Sequence, residues 1–179
     1  MKKIIVTVLF ICCVHVGLHA QVTTTQTVSL SLTDFIEMDF TATNDDLGAT
    51  VTMNFATVTD YVNGVTSGAQ QLKVLSTRHF NVTVKSSSTN FTYTGNATPT
   101  PVMPVNGILN VMVSANSTGG TIAAPFTSYA TITSSNQNLI TNGSNGGNQT
   151  FSVQYKATPG FTYPGGTYAT TVVYTATQQ

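Results

Sequence analysis

Phe80-Asn81-Val82-Thr83-Val84-Lys85 reads apolar, polar, apolar, polar, apolar, charged. A period of two puts Phe80, Val82 and Val84 on one side of an extended chain and Asn81, Thr83 and Lys85 on the other, the pattern of a half-buried β-strand. The same period spreads outward in both directions. Toward the N terminus it recurs in Leu72 and Val74, in Val51, Met53 and Phe55 with Thr52 and Asn54 between them, and in Val28, Leu30 and Leu32 with Ser29 and Ser31 between them. Toward the C terminus it recurs in Leu109, Val111 and Val113, in Phe151, Val153 and Tyr155, and in residues 167–177, where Tyr168, Val172 and Tyr174 share a face. No segment carries a convincing 3.6-residue period, and the abundant Thr, branched at Cβ, suits strands better than helices.

Asn63-Gly64, Asn106-Gly107, Gly119-Gly120, Asn142-Gly143, Gly146-Gly147 and Pro164-Gly165-Gly166 separate these runs with residues that tolerate positive φ or fix a bend. Pro99, Pro101 and Pro104 mark residues 94–104 as a crossover or an edge, because proline donates nothing to a ladder. Short strands without helices between them predict an all-β fold, a single antiparallel β-sandwich, immunoglobulin-like or jelly-roll-like, with about eight to eleven strands. Residues 1–20 read as a signal peptide: Lys2 and Lys3, an apolar run from Ile4 to Leu18, and Ala20 before Gln21. That run is shorter than the roughly 20 residues a spanning helix needs, so no membrane-spanning segment is expected. The β-sandwich domain is then expected over residues 21–179, and the protein is expected to be secreted to the periplasm, the cell surface or the extracellular space. Cys12 and Cys13 both fall in the leader, so the mature chain has no thiol to form a disulfide.

Composition narrows the function. Beyond the leader, Lys73, Arg78, Lys85 and Lys156 are outnumbered by Asp34, Glu37, Asp39, Asp45, Asp46 and Asp60, and they are scattered, which argues against nucleic acid as a partner. His79 is the one histidine left, and no G-x-S-x-G nucleophile elbow accompanies it, so its expected place is a solvent-facing strand position. Glu37 and Asp39 would share one side of a strand near Asp34, which could serve a hydrolase needing acids about 5–10 Å apart or a weak cation site. Ordinary surface acids are the simpler reading. Asp45-Asp46 before Gly48 lacks the spaced calcium-loop pattern and is expected to be a turn. The sequons at Asn81, Asn90, Asn96, Asn116, Asn142 and Asn148 are no more informative than chance in a chain so rich in Asn, Ser and Thr. No catalytic, cofactor-binding or metal-binding residue is assigned, no cofactor is expected, and the chain is read as not an enzyme.

Sugar binding would call on flat aromatic platforms, and with no Trp the candidates are Tyr61, Tyr93, Tyr129, Tyr163 and Tyr168. The run Tyr163-Pro164-Gly165-Gly166-Thr167-Tyr168, followed by alternating Thr and Val to Tyr174 and Thr175, resembles the closing strand of small bacterial surface β-sandwiches: spore-coat-U-like and related fimbrial subunits, and WxL-type surface domains. Arg78 to Lys85 resembles the strand of such domains in which an aromatic precedes alternating apolar residues. The chain departs from them in lacking the Trp of the W-x-L signature and the cysteines of the coat-U-like disulfide. The resemblance implies a structural or adhesive cell-surface protein, with a fibre subunit joined by strand addition among its forms. The arm of residues 21–27, rich in Thr, is the segment expected to reach another copy. A non-catalytic module binding a surface glycan or another surface protein is the alternative.

Overall fold

A computed structural model describes residues 21–42 and 48–179. The leader and the Asp45-Asp46 turn lie outside the described residues. The chain divides into two units, Met1–Leu32 and Thr33–Gln179. In the first, residues 21–32 form no strand, and Val28, Leu30 and Leu32 are 77%, 84% and 91% exposed. This corrects the expectation of a half-buried strand at Val28–Leu30–Leu32. Alternation says which face a strand would bury, but the backbone still needs a ladder partner.

The second unit carries, in chain order, β1 (Ile36–Phe40), α1 (Val58–Asn63), β2 (Val65–Thr66), β3 (Gln70–Ser76), β4 (Phe80–Ser86), β5 (Thr92–Thr94), β6 (Leu109–Asn116), β7 (Thr121–Ile122), β8 (Ala130–Thr131), β9 (Gln137–Gly143), β10 (Gly146–Ala157), β11 (Thr167–Ala169) and β12 (Val172–Gln178). One sheet runs β1-β3-β10-β6-β8, with β2 continuing beside β10, and the other runs β12-β4-β9-β7. A two-stranded ribbon, β11-β5, stands apart, and every pairing is antiparallel. The fold is an all-β sandwich. Among the described residues its twelve strands exceed the expected eight to eleven because β2, β7 and β8 are two-residue pairings too short to leave a period in the sequence.

The core forms between the inward rows of the two sheets. Leu72, Val74, Val111, Phe151 and Val153 come from the first sheet, and Phe80, Val82, Val84, Leu139 and Ile140 from the second. Each of the predicted alternations at Leu72, Phe80, Leu109 and Phe151 is buried on the expected face. Leu139 and Ile140 are consecutive and both buried, which a strict period of two forbids. Val82 pairs with Ile140 while Thr83 pairs with Asn138, so Leu139 is the extra residue of a β-bulge that turns it inward. Gly143 lies opposite Phe80, and a Cβ there would come within 2.6 Å of the phenyl ring.

Helix α1 corrects the all-strand expectation. Thr57 Oγ1 accepts from Asp60 N at 3.3 Å, while the Asp60 carboxylate accepts from Thr57 N at 2.7 Å and Ala56 N at 3.0 Å, a reciprocal capping box. These bonds hold the Asp60 carboxyl below the usual carboxylate range. A helix of 6 residues is too short to show a period, and the T-x-x-D cap was its signal. The proline-rich connection folds back on the chain before β5: Phe91 N donates to Met103 O and Val105 N to Thr89 O, flanking a single antiparallel bridge between Asn90 and Pro104, and between β5 and Leu109 the chain forms no named strand.

Candidate interaction groove

Two strands close one side of the sandwich, β1 ending the first sheet and β12 ending the second. Their inward residues, Ile36, Met38 and Phe40 on β1 and Val172, Tyr174 and Ala176 on β12, are only half-buried, whereas the strands behind them bury theirs fully. At one end the two edges meet. The Phe40 and Tyr174 rings pack edge to face at 6.1 Å, and Gln178 Nε2 donates to Phe35 O at 2.7 Å with Ser76 Oγ at 3.2 Å.

At the other end the edges diverge around a groove of about 860 Å³, walled by residues 48–55 on one side and 163–172 on the other. Residues 49–55 are the predicted Val51–Met53–Phe55 run. The burial alternates as expected, with those three side chains packed against the core. The strand itself is absent, because among the described residues no ladder partner takes up this backbone. The opposite wall has an inward row of Tyr168, Thr170, Val172, Tyr174 and Ala176, and Thr170 Oγ1 is enclosed without a hydrogen-bond partner.

The candidate sugar platforms fall into two groups, and Tyr129 makes no ring contact with either. Tyr61 sits between Phe55, tilted at 5.5 Å, and Phe161, stacked at 5.2 Å, and Phe161 is 65% exposed. Tyr93 and Tyr163 pack on Tyr168 at 5.0 Å and 6.3 Å. The Tyr93 and Tyr168 hydroxyls are engaged by backbone: Tyr93 Oη donates to Gly165 O and accepts from Ala97 N, each at 3.1 Å, and Tyr168 Oη donates to Pro164 O at 2.8 Å. A Cβ on Gly166 would lie 2.3 Å from the Tyr93 ring. The Y-P-G-G-T-Y run is therefore a braced turn, in which Tyr93 and Tyr168 hold the loop that shapes the groove.

Beneath the groove Tyr155 and Tyr174 bring their hydroxyls to 2.7 Å, joining the two sheets by a side-chain hydrogen bond. Burial pushes the Tyr155 phenol up to about 12, against the opposing effect of its bond with Tyr174. Burial also pushes Tyr174 well up, and the neighbouring Tyr155 adds to it.

The remaining candidates are dispersed. His79 is exposed at the head of β4, with Nδ1 donating to Gly143 O at 3.1 Å. Asp34 pairs with Arg78 at 3.1 Å on the surface, while Asp39 stands opposite Lys73 and Glu37 opposite Leu75 in the β1–β3 register. Among the described residues no three His, Cys, Asp or Glu side chains converge as metal ligands, and no helix is long and apolar enough to cross a membrane. Of the sequons, Asn81 and Asn116 use their side-chain oxygens internally, accepting from Asn142 N and Thr118 N. Sequence reasoning missed residues 48–55 as a groove wall, Phe161 and Thr170. The alternation at Val51 was the available signal for the wall; nothing in the sequence marked Thr170. Comparison with protein-family models and with curated proteins found no match.

Proposed function

We propose that this protein is a secreted, non-catalytic structural or adhesive cell-surface protein, a fibre-type subunit whose copies associate by strand addition, the arm of residues 21–32 of one copy entering the groove of the next. The observation that carries this reading is the arm itself: three large aliphatic side chains at every second position, which an extended chain would set on one face, each more than three-quarters exposed. A contiguous exposed apolar row of this kind marks an interaction surface. The groove is its counterpart, with two extended walls and a half-covered apolar lining.

Burying Val28, Leu30 and Leu32 would contribute about 1.5–3 kcal/mol each. Association costs about 4–15 kcal/mol in lost freedom. The two are of similar size, so ladder hydrogen bonds and the relief of the half-exposed lining decide the affinity. The leader read in residues 1–20 supports export, and the surface-sandwich resemblance of the C-terminal run supports the cell-surface setting.

Light scattering on the mature chain tests the reading. Assemblies that grow with concentration are expected, and Leu30→Asp should abolish them while leaving the melting temperature unchanged. A mature chain that stays monomeric at high concentration and retains a surface glycan through Tyr61 and Phe161 would refute it in favour of the binding module.

A further inference from the structure

We infer that Thr170 sets the register of the inserted arm by taking a hydrogen bond from, or giving one to, Gln26 of another copy; the inference rests on the strand-addition reading above. Thr170 is a polar residue in an otherwise largely aromatic and aliphatic row, between Tyr168 and Val172, and its enclosed hydroxyl has no partner in the lone chain. A buried hydroxyl without a partner is a standing penalty that an occupant carrying a polar group at that level removes. A single buried polar position among apolar ones is also a known means of fixing register, because every slipped alignment leaves it unpaired.

The arm has a matching row. On the face that carries Val28, Leu30 and Leu32, the next residues toward the N terminus are Gln26 and Thr24. A parallel alignment with Gln26 at Thr170 sets Val28 beside Val172, Leu30 beside Tyr174 and Leu32 beside Ala176. The antiparallel alignment that keeps the same three aliphatics on the core sets Asp34 at Thr170. That would tear Asp34 from Arg78 and enclose a carboxylate. The parallel ladder is slightly weaker per residue, but it buries no charge. Insertion as far as Leu32 replaces the Phe40–Tyr174 edge contact, so the arm opens the closed end of the groove as it seats.

The mature chain has no cysteine, so disulfide mapping is clean. Two single-cysteine chains, Gln26→Cys and Thr170→Cys, one carrying a size tag, are mixed and oxidised. A cross-linked heterodimer is expected, and the Asp34→Cys with Thr170→Cys mixture should give none. Self-association of the full mature chain provides the second measurement. Gln26→Leu should weaken it about tenfold, the scale of leaving one buried hydroxyl unpaired, and in the Thr170→Val background the same change should have less than about a twofold effect. Thr170→Val alone should melt at or above the temperature of the unsubstituted chain. Cross-linking through Asp34 instead of Gln26, or equal losses from Gln26→Leu in both backgrounds, would overturn the register while leaving strand addition standing. Absence of any association in the unsubstituted chain would overturn both.

Discussion

Replacing Tyr174 by Phe isolates the contact that joins the two sheets beneath the groove. The ring stays, so packing against Phe40 is preserved, and what is lost is the hydroxyl 2.7 Å from that of Tyr155. Tyr155 is buried within β10, and its hydroxyl then has no partner. The loss should be about 1–3 kcal/mol, the desolvation of one stranded hydroxyl, whereas Tyr155→Phe together with Tyr174→Phe should cost less than either single change. Urea denaturation of the four proteins closes the cycle, with a coupling of about 1 kcal/mol or more expected. The same pair predicts alkaline behaviour. The Tyr155 phenol sits at about 12 in the folded chain against 10.0 for an ordinary tyrosine, so the folded state favours the neutral form. Its stabilisation is complete below pH about 10 and is lost as the pH rises through about 12; a two-unit displacement corresponds to about 3 kcal/mol. Stability measured across that window should fall in the unsubstituted protein and fall less in the double variant. Additive single losses, or identical alkaline profiles, would refute the idea that the hydroxyls act as a buried pair.

Three further outcomes are expected. Val153 is 0% exposed, so Val153→Asp, which buries an unpartnered carboxylate at a cost of several kcal/mol, should leave little folded protein, while Gln154→Asp should be mild; equal melting temperatures would mean that the register is reversed. Gly143→Ala should cost about 1–3 kcal/mol in chemical denaturation, because the added methyl meets the fully buried Phe80 ring. Deleting residues 21–32 should leave the thermal transition nearly unchanged, since none of the core side chains comes from them, while removing every species larger than the monomer in sedimentation.

The central strands were legible because their neighbours make the sequence pattern sufficient. Phe80, Val82 and Val84 sit between β9 and β12, and Phe151, Val153 and Tyr155 between β3 and β6, so alternation there coincides with a ladder on both edges. The pattern fails where it has no power to specify a partner. Val28–Leu30–Leu32 and Val51–Met53–Phe55 alternate as cleanly as Phe80–Val82–Val84, yet neither segment is a strand. Leu139-Ile140 shows the opposite failure, since a bulge makes two adjacent residues inward by adding one residue to one strand, which no local period encodes.

The failures at Val28–Leu30–Leu32 and at Val51–Met53–Phe55 have a common character. A period of two marks a face suited to burial, and in both segments that face is uncovered or only half-covered in the lone chain. The arm presents such a row with nothing over it, and residues 49–55 and 168–176 present two half-covered rows around a groove. Had the arm been a solvated tail, Thr and Ser at positions 28, 30 and 32 would have served as well as they do at 23, 24 and 25, and aliphatic residues there would only have promoted aggregation. The wall at 163–172 argues the same way: its turn is braced by Tyr93 and Tyr168 through backbone bonds, an expensive construction for a loop with no occupant to receive. The two segments that alternate like strands yet form none are the ones that the proposed strand addition would bring together, and that is the reason to look for the site there.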